Sequence, residues 1–386
     1  MNIFHQLRFF LPIAALAVVM PFQFASAIET PASHAYLVDT TTDAVLLDKN
    51  GDIPMHPASM SKLMTLFMVF ERLQDGRISL DDKFYVSENA WRKGGAKTGG
   101  STMFLEPSMR VRVEDLIRGV IVQSGNDACI TIAETLGGSE EAFASEMTDR
   151  AKAMGLQHAT FKNSTGWPDP KHQISAHDLA KLAQTIATHF PEYFHYFSEK
   201  SFIFNGIKQS NRNPLIYKDM GADGLKTGHT NDSGYGLVGS AIRKGRRLVL
   251  VVNGLSSKKM RSSESERLLE WGFREFGNYE LFKGGDVVTK ADVWLGDKPN
   301  VSLLIKDDLT LTLPKKARRA MKVTVRYKGP LPAPIQQGQT IATLTITAPN
   351  MEPKEIPLVA SNTVHQLGLV GRLGAAFDFI IWGGTR

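Results

Sequence analysis

The apolar residues of this chain change their period along its length, and that change limits the folds open to it. Ala35 to Val38 and Ala44 to Leu47 are short apolar-rich runs. The polar stretch Asp39-Thr40-Thr41-Thr42-Asp43 between them reads as the turn of a strand pair. Leu63, Leu66, Phe67 and Phe70 then recur at helical spacing within Ser59 to Leu73. Val113 to Val122, Asp127 to Leu136 (closed by Gly137-Gly138) and Ala176 to Thr188 read as further helices. After these the apolar runs shorten and become β-branched. Tyr235 to Ile242 and Leu248 to Leu255 read as strands of a hairpin across Lys244-Gly245, and Ser263 to Phe276 as a closing helix. Strands, then helices, then strands predict one sheet flanked by helices. Gly277 to Gly285 reads as a boundary. Beyond it Val301 to Ile305, Leu309 to Leu313, Val323 to Tyr327 and Thr340 to Thr347 alternate with Pro/Gly turns, the pattern of a small all-β domain. A length of 386 residues suits two domains.

The N-terminus reads as a secretory signal peptide. Arg8 supplies the positive region, Phe9 to Met20 an apolar core too short to span a bilayer, and Ala25-Ser26-Ala27 a small-residue cleavage site. The expected divisions are therefore a signal peptide (1–27), a catalytic domain (28–279), a small all-β domain (285–362) and a C-terminal segment (363–386). The single cysteine, Cys129, excludes an intrachain disulfide and reads as a small buried hydrophobe on a helix. The net charge of +6 suits work near anionic wall or lipid without naming a partner, and no Lys/Arg run suggests nucleic acid. No His-Glu-x-x-His pattern, cysteine pair or phosphate-binding glycine loop is present, so neither a metal nor a cofactor is expected.

Three short motifs carry the chemistry. In Ser59-Met60-Ser61-Lys62 the serine stands at a helix start and the lysine one turn on, so both side chains share a face. A hydroxyl becomes a nucleophile when a base takes its proton, and a lysine serves once desolvation and nearby cations lower its pKa. Ser124-Gly125-Asn126 lies between two helices; Ser124 is suited to relaying a proton and Asn126 to holding an amide. In Lys226-Thr227-Gly228, strand alternation puts Lys226 and Gly228 on one face, where a glycine lets another chain approach closely. Lys226 and Thr227 together suit a carboxylate. Taken alone, each motif reads first as an ordinary feature: a helix cap, an interhelical turn and an edge strand, respectively.

Together, in this order and on these elements, they form the signature shared by β-lactamases and penicillin-binding proteins. The chain resembles the low-molecular-mass penicillin-binding proteins that act as D-alanyl-D-alanine carboxypeptidases. The likeness extends to Pro57 to Thr65, Ser124 to Cys129, Asn163-Ser164-Thr165-Gly166-Trp167 and Leu225 to Thr230, and covers about Ala35 to Phe276. It implies an α/β (α+β) penicillin-binding-protein/β-lactamase-like transpeptidase domain with an antiparallel sheet flanked by helices, and the β domain matches in kind and position. It implies Ser59 as the acylated nucleophile, Lys62 as its base, Ser124 and Asn126 in proton transfer and peptide binding, and Lys226, Thr227, Gly228 and His229 around the terminal carboxylate. Arg261 joins that contact on a weaker match. The oxyanion donors would be the backbone N–H groups of Ser59 and His229. The implied partners are peptidoglycan pentapeptide stems and β-lactam antibiotics.

In the tail, Leu367, Val370, Leu373, Phe377, Ile380 and Ile381 fall near helical spacing, with Gly368, Arg372, Ala375 and Asp378 opposite and Trp382 near the end. This reads as an amphipathic helix lying on the outer face of the inner membrane, or else as a helix packed on the β domain or on another copy. Two enzyme rivals share the motifs. A serine β-lactamase is disfavoured because no Glu-x-x-Leu-Asn follows the Ser-x-Asn element; a D,D-endopeptidase differs less. A catalytically silent wall-binding protein would have no use for a full catalytic set.

Overall fold

The computed structural model describes residues 28–349 and 351–374; the expected signal peptide and the distal tail lie outside the described residues. A five-stranded antiparallel sheet organises the first domain. Its strands are β1 (His34–Asp39), β2 (Ala44–Lys49), β3 (Ala222–Thr230), β4 (Gly234–Arg243) and β5 (Arg246–Leu255), in the order β2-β1-β5-β4-β3. The β4–β5 hairpin turns at Lys244 and Gly245, both at positive φ, as a two-residue hairpin loop requires.

The sheet is covered on both faces, and β5 shows why. Its run Leu248 to Val252 is apolar at every position. Val249 and Val251 enter one core, with the N-terminal helices, while Leu248, Leu250 and Val252 enter another. Among the helices on its faces are α1 (Lys62–Gln74), α2 (Val113–Arg118), α3 (Asn126–Gly137), α4 (Ala176–His189) and α5 (Lys258–Glu275). Most of α1 is buried, as a helix apolar on nearly all sides must be. Phe67 and Phe70 meet the ring of Phe190, and Phe70 also stacks on Tyr193. On the opposite face Leu268 and Leu269 of α5 close the second core.

Three expectations need correction. The helix expected over Val113 to Val122 ends at Arg118 and widens into a π-helical turn, Gly119–Gln123, which leaves Ser124 in the left-handed region at φ 64°. The closing helix begins at Lys258 rather than Ser263, because Ser257 caps it by accepting a hydrogen bond from the Met260 N–H. Its charged first turns hid that start. The boundary expected over Gly277 to Gly285 is largely taken up by a strand, β6 (Phe276–Phe282). Its Tyr279, Leu281 and Phe282 pack on the second domain's core despite the glycines flanking them.

The second domain continues with β7 (Val287–Trp294), β8 (Asn300–Ile305), β9 (Leu309–Pro314), β10 (Lys322–Arg326), β11 (Leu331–Pro332), β12 (Thr340–Thr347) and β13 (Lys354–Ala360). β6 pairs with β9, and the other six form a sheet in the order β10-β12-β13-β8-β7-β11. Alternating residues such as Val301, Leu303 and Ile305 fill the core, as half-buried strands do.

Candidate active site

Two glycines determine where Ser59 sits. Residues Ala58–Ser61 form a single 3₁₀ turn ahead of α1, and this turn presses on strand β3. A Cβ at Gly228 would stand 2.7 Å from the Pro57 carbonyl oxygen and 3.3 Å from the Ala58 Cβ, so only glycine admits the turn. From the other side comes the loop Asn163 to Trp167. Asn163 Oδ1 accepts hydrogen bonds from the backbone N–H groups of Thr165, Gly166 and Trp167. Gly166 has φ 81°, and a Cβ there would lie 2.0 Å from the Ala58 oxygen. The nucleophile turn is thus wedged between a strand and a pinned loop.

Beneath it Lys62 Nζ lies 2.9 Å from Ser59 Oγ and donates to Asn126 Oδ1 at 2.7 Å. Lys62 has no solvent exposure. Burial pulls its pKa down to about 8, and the positive charge of Arg212 adds to the shift. A neutral amine has two hydrogens and one lone pair. With one hydrogen on Asn126, the lone pair is free to accept the Ser59 proton.

A second lysine repeats the arrangement across the cleft. Lys226 Nζ donates to Ser124 Oγ at 2.9 Å and to the Thr227 carbonyl at 3.1 Å. Its pKa is driven well below the ordinary range, first by burial and then by the charges of Lys62 and Arg212. Ser124 can reach Lys226 because of its left-handed backbone, held by Gly125 N–H donating to the Gly119 carbonyl at 2.9 Å. Asn126 N–H donates to the Ser101 carbonyl at 2.8 Å. The buried Asp127 carboxylate accepts from Thr102 Oγ1 and from the backbone N–H groups of Met103, Leu105 and Ala128, fixing the facing wall.

These groups open onto a cleft of about 540 Å³, lined by Ser59, Ser101, Ser124, Arg212, Thr227, Gly228, His229, Tyr235, Lys258 and Arg261. Lys62, Asn126 and Lys226 support it from behind. All nine residues expected from the sequence are therefore gathered in one place. Arg261 points its Nη1 at the Gly228 carbonyl from 3.5 Å, at the edge of hydrogen-bond range. His229 is exposed at the rim, its ring stacked on Tyr235 with centroids 3.8 Å apart. Sequence reasoning missed Arg212, Ser101, Tyr235 and Lys258. Arg212 donates to Ser101 Oγ at 2.5 Å, and nothing in Asn211-Arg212-Asn213 announces it. Among the described residues no carboxylate lines this cleft, while Arg212, Lys258 and Arg261 do. The arrangement is built for acyl transfer to a serine from a substrate bearing a negative charge.

An antiparallel sheet between helical layers, with a serine and a buried lysine one turn apart beneath it, defines the serine acyl-transfer enzymes of the penicillin-binding class. The chain belongs to the peptidase S11 family, whose model, described as D-alanyl-D-alanine carboxypeptidase, matches residues 22–257. A second model, the penicillin-binding protein 5 C-terminal domain, matches residues 276–366. The chain is 36% identical over 376 residues to the D-alanyl-D-alanine carboxypeptidase DacC of Escherichia coli, covering 95% of this chain and 93% of that one. It is 38% identical over 345 residues to DacD of Salmonella typhimurium, covering 89% and 88%. Penicillin-binding protein 5 of Haemophilus influenzae superposes with a TM-score of 0.76 at 35% identity, over 88% of this chain and all of that one. The protein is a serine-type D-Ala-D-Ala carboxypeptidase acting on the cell-wall peptide, with the penicillin-binding fold of that family.

Proposed function

We propose that Ser59 is the acylated residue and that the two lysines divide the proton traffic. Ser59 Oγ attacks the carbonyl carbon between the two D-alanines while its proton passes to Lys62 Nζ. The backbone N–H groups of Ser59 and His229 hold the resulting oxyanion. The intermediate collapses, the C–N bond breaks, and a proton delivered through Ser124 and Lys226 leaves with D-alanine. Asn126 holds the stem amide. Lys226, Thr227 and Gly228 receive the terminal carboxylate, with His229 and Arg261 beside them. Water then cleaves the ester: its hydroxyl goes to the acyl carbon, its proton replaces the one delivered through Ser124 and Lys226, Lys62 returns its proton to Ser59 Oγ, and the shortened stem leaves. Losing the terminal residue also removes a bond that cross-linking would use.

The observation that carries this reading is the pair of buried lysines, each within 2.9 Å of a serine hydroxyl on one acid-free cleft. With no carboxylate lining the cleft, nothing there matches the glutamate base of one β-lactamase class, so a penicillin should acylate Ser59 and stay. The test is mass spectrometry. Penicillin should add its mass to the protein but not to Ser59→Ala, and pentapeptide should lose one alanine only with the native chain. Adduct formation by Ser59→Ala would refute the assignment, and cleavage of cross-linked dimers instead of pentapeptide would favour an endopeptidase.

We also infer export by the leader 1–27 and attachment to the outer face of the inner membrane through 363–386. Supporting the second point, residues 369–374 are helical with Leu369, Val370 and Leu373 at 79%, 85% and 73% exposure. Among the described residues no helix is long and apolar enough to cross a membrane, so the attachment would be interfacial. Removing 363–386 should release the protein from membranes without loss of activity on soluble pentapeptide. Unchanged membrane retention would refute the inference.

A further inference from the structure

The segment from Lys315 to Lys328 holds seven cations, Lys315, Lys316, Arg318, Arg319, Lys322, Arg326 and Lys328, and no acid. That is more positive charge than the whole chain nets at +6. All seven residues are exposed, and no carboxylate pairs with any of them among the described residues. Arg318 lies over the Tyr279 ring at 4.4 Å, and Lys315 Nζ donates to the Phe273 carbonyl at 3.2 Å. The nearest acid, Glu275, is bridged to Arg274 and also feels the charges of Lys316 and Lys315, while Glu352 and Glu355 lie before and on β13, one strand beyond β12, which β10 pairs with. A lysine or two would blunt the exposed edge of β10 against pairing. Seven like charges in fourteen residues exceed that need and repel one another.

Strand register locates the strip. Lys322 pairs with Thr347 on β12, Leu344 with Ile356 on β13, Ala360 with Leu303 on β8, and Asn300 with Asp292 on β7. The tail leaves beyond the far end of β7, where Gly296 bridges Gln366. Lys322 thus lies four strands from β7 along the sheet, while Arg326 and Lys328 lead within five residues to Leu331 of β11, beside β7. Helix α5 joins the strip to the cleft: Lys258 and Arg261 line the cleft at one end, while Phe273 and Glu275 accept hydrogen bonds from Lys315 at the other. Its 18 residues span about 27 Å.

We propose that the strip is a second binding surface for the polymeric substrate, gripping carboxylates of neighbouring stems on a wall strand while the cleft works on one stem. This rests on the carboxypeptidase activity, and it assigns the second domain a role in holding polymer. The experiment uses the purified mature chain and a charge-reversed variant, K316E/R319E/K322E/R326E. Four measurements are made: co-sedimentation with insoluble wall sacculi across a salt series, co-sedimentation with phospholipid vesicles, D-alanine release from sacculi, and D-alanine release from a soluble pentapeptide. The variant should bind sacculi about tenfold or more weakly at low salt and lose most of the salt dependence, as loss of rim charges does. Its rate on sacculi should fall in parallel, and its rate on soluble pentapeptide should stay within about twofold, because no cleft contact is touched. Native-like sacculus binding by the variant would overturn the proposal. So would a loss confined to vesicles of one part phosphatidylglycerol to three of phosphatidylethanolamine, which would make the strip a membrane contact. If the reversed variant also fails on soluble peptide, the four-glutamine variant replaces it under the same criteria. A native chain inactive on soluble pentapeptide would refute the enzymatic reading instead, and sedimentation would still judge the strip.

Discussion

Lys62 should impose a pH dependence on acylation that no exposed lysine would give. Its folded-state pKa is about 8 against an ordinary 10.5, chiefly because the amine is buried. Only the neutral amine can take the Ser59 proton. At pH 7 an ordinary lysine is neutral in roughly one molecule in 3,000, and one with a pKa of about 8 in roughly one in ten. The fold therefore raises the supply of competent base by about 300-fold. The second-order rate of acylation by a fluorescent penicillin should rise with pH through a midpoint near 8 and then level. Arg212→Gln provides the internal check. Arg212 is the leading cation depressing Lys62, so its removal should move the midpoint to higher pH, slowing acylation at pH 7 and restoring it in alkali. A profile flat from about pH 6.5 to 9.5, or an Arg212→Gln midpoint that moves down, would refute the reasoning.

Other outcomes follow from the same geometry. Gly228→Ala should lower acylation by about 100-fold with native circular dichroism, because its Cβ meets the Pro57 backbone oxygen and pushes the nucleophile turn aside. Native-like acylation by this variant would show that the turn has room to give. His172 is buried and its pKa is pulled down to about 4, below the unfolded value of 6.5. The unfolded chain therefore binds the extra proton between those values. His172 should cost the native state stability as pH falls through that window, by about 3 kcal/mol in full. His172→Gln should flatten that limb in urea melts at a series of pH values; an unchanged slope would contradict the assignment. Burial pushes the Cys129 thiol up to about 12, so it should resist iodoacetamide in the native state and react fully in denaturant. Rapid native labelling would mean that α3 opens readily.

Most of the site could be read from the chain because its parts are local. Ser59 and Lys62 are one turn apart, Ser124 and Asn126 two residues apart, and Lys226 to His229 lie on one strand. Local spacing fixes which side chains share a face. Arg212 had no such neighbour and was missed; it reaches the cleft only by a long-range contact to Ser101. The helix ends went wrong where a π turn follows Arg118 and where a serine cap precedes a charged first turn. Both depend on backbone hydrogen bonds that hydrophobic period does not report. The second domain's first strand was hidden because Gly277 and Gly285 read as breaks, while Tyr279 and Phe282 found their core only in three dimensions.

By itself, then, the sequence determined the chemistry available: a nucleophile with an amine one turn away, a second lysine followed by a threonine, and periods that commit one segment to helices and another to strands. Tertiary structure decided whether that chemistry is live. Only packing removes water from Lys62 and Lys226, sets Arg212 close enough to disfavour their charges, and seats the nucleophile turn against Gly228 and Gly166. Desolvation and Coulomb interaction depend on distance through space, and residues remote along the chain supply both.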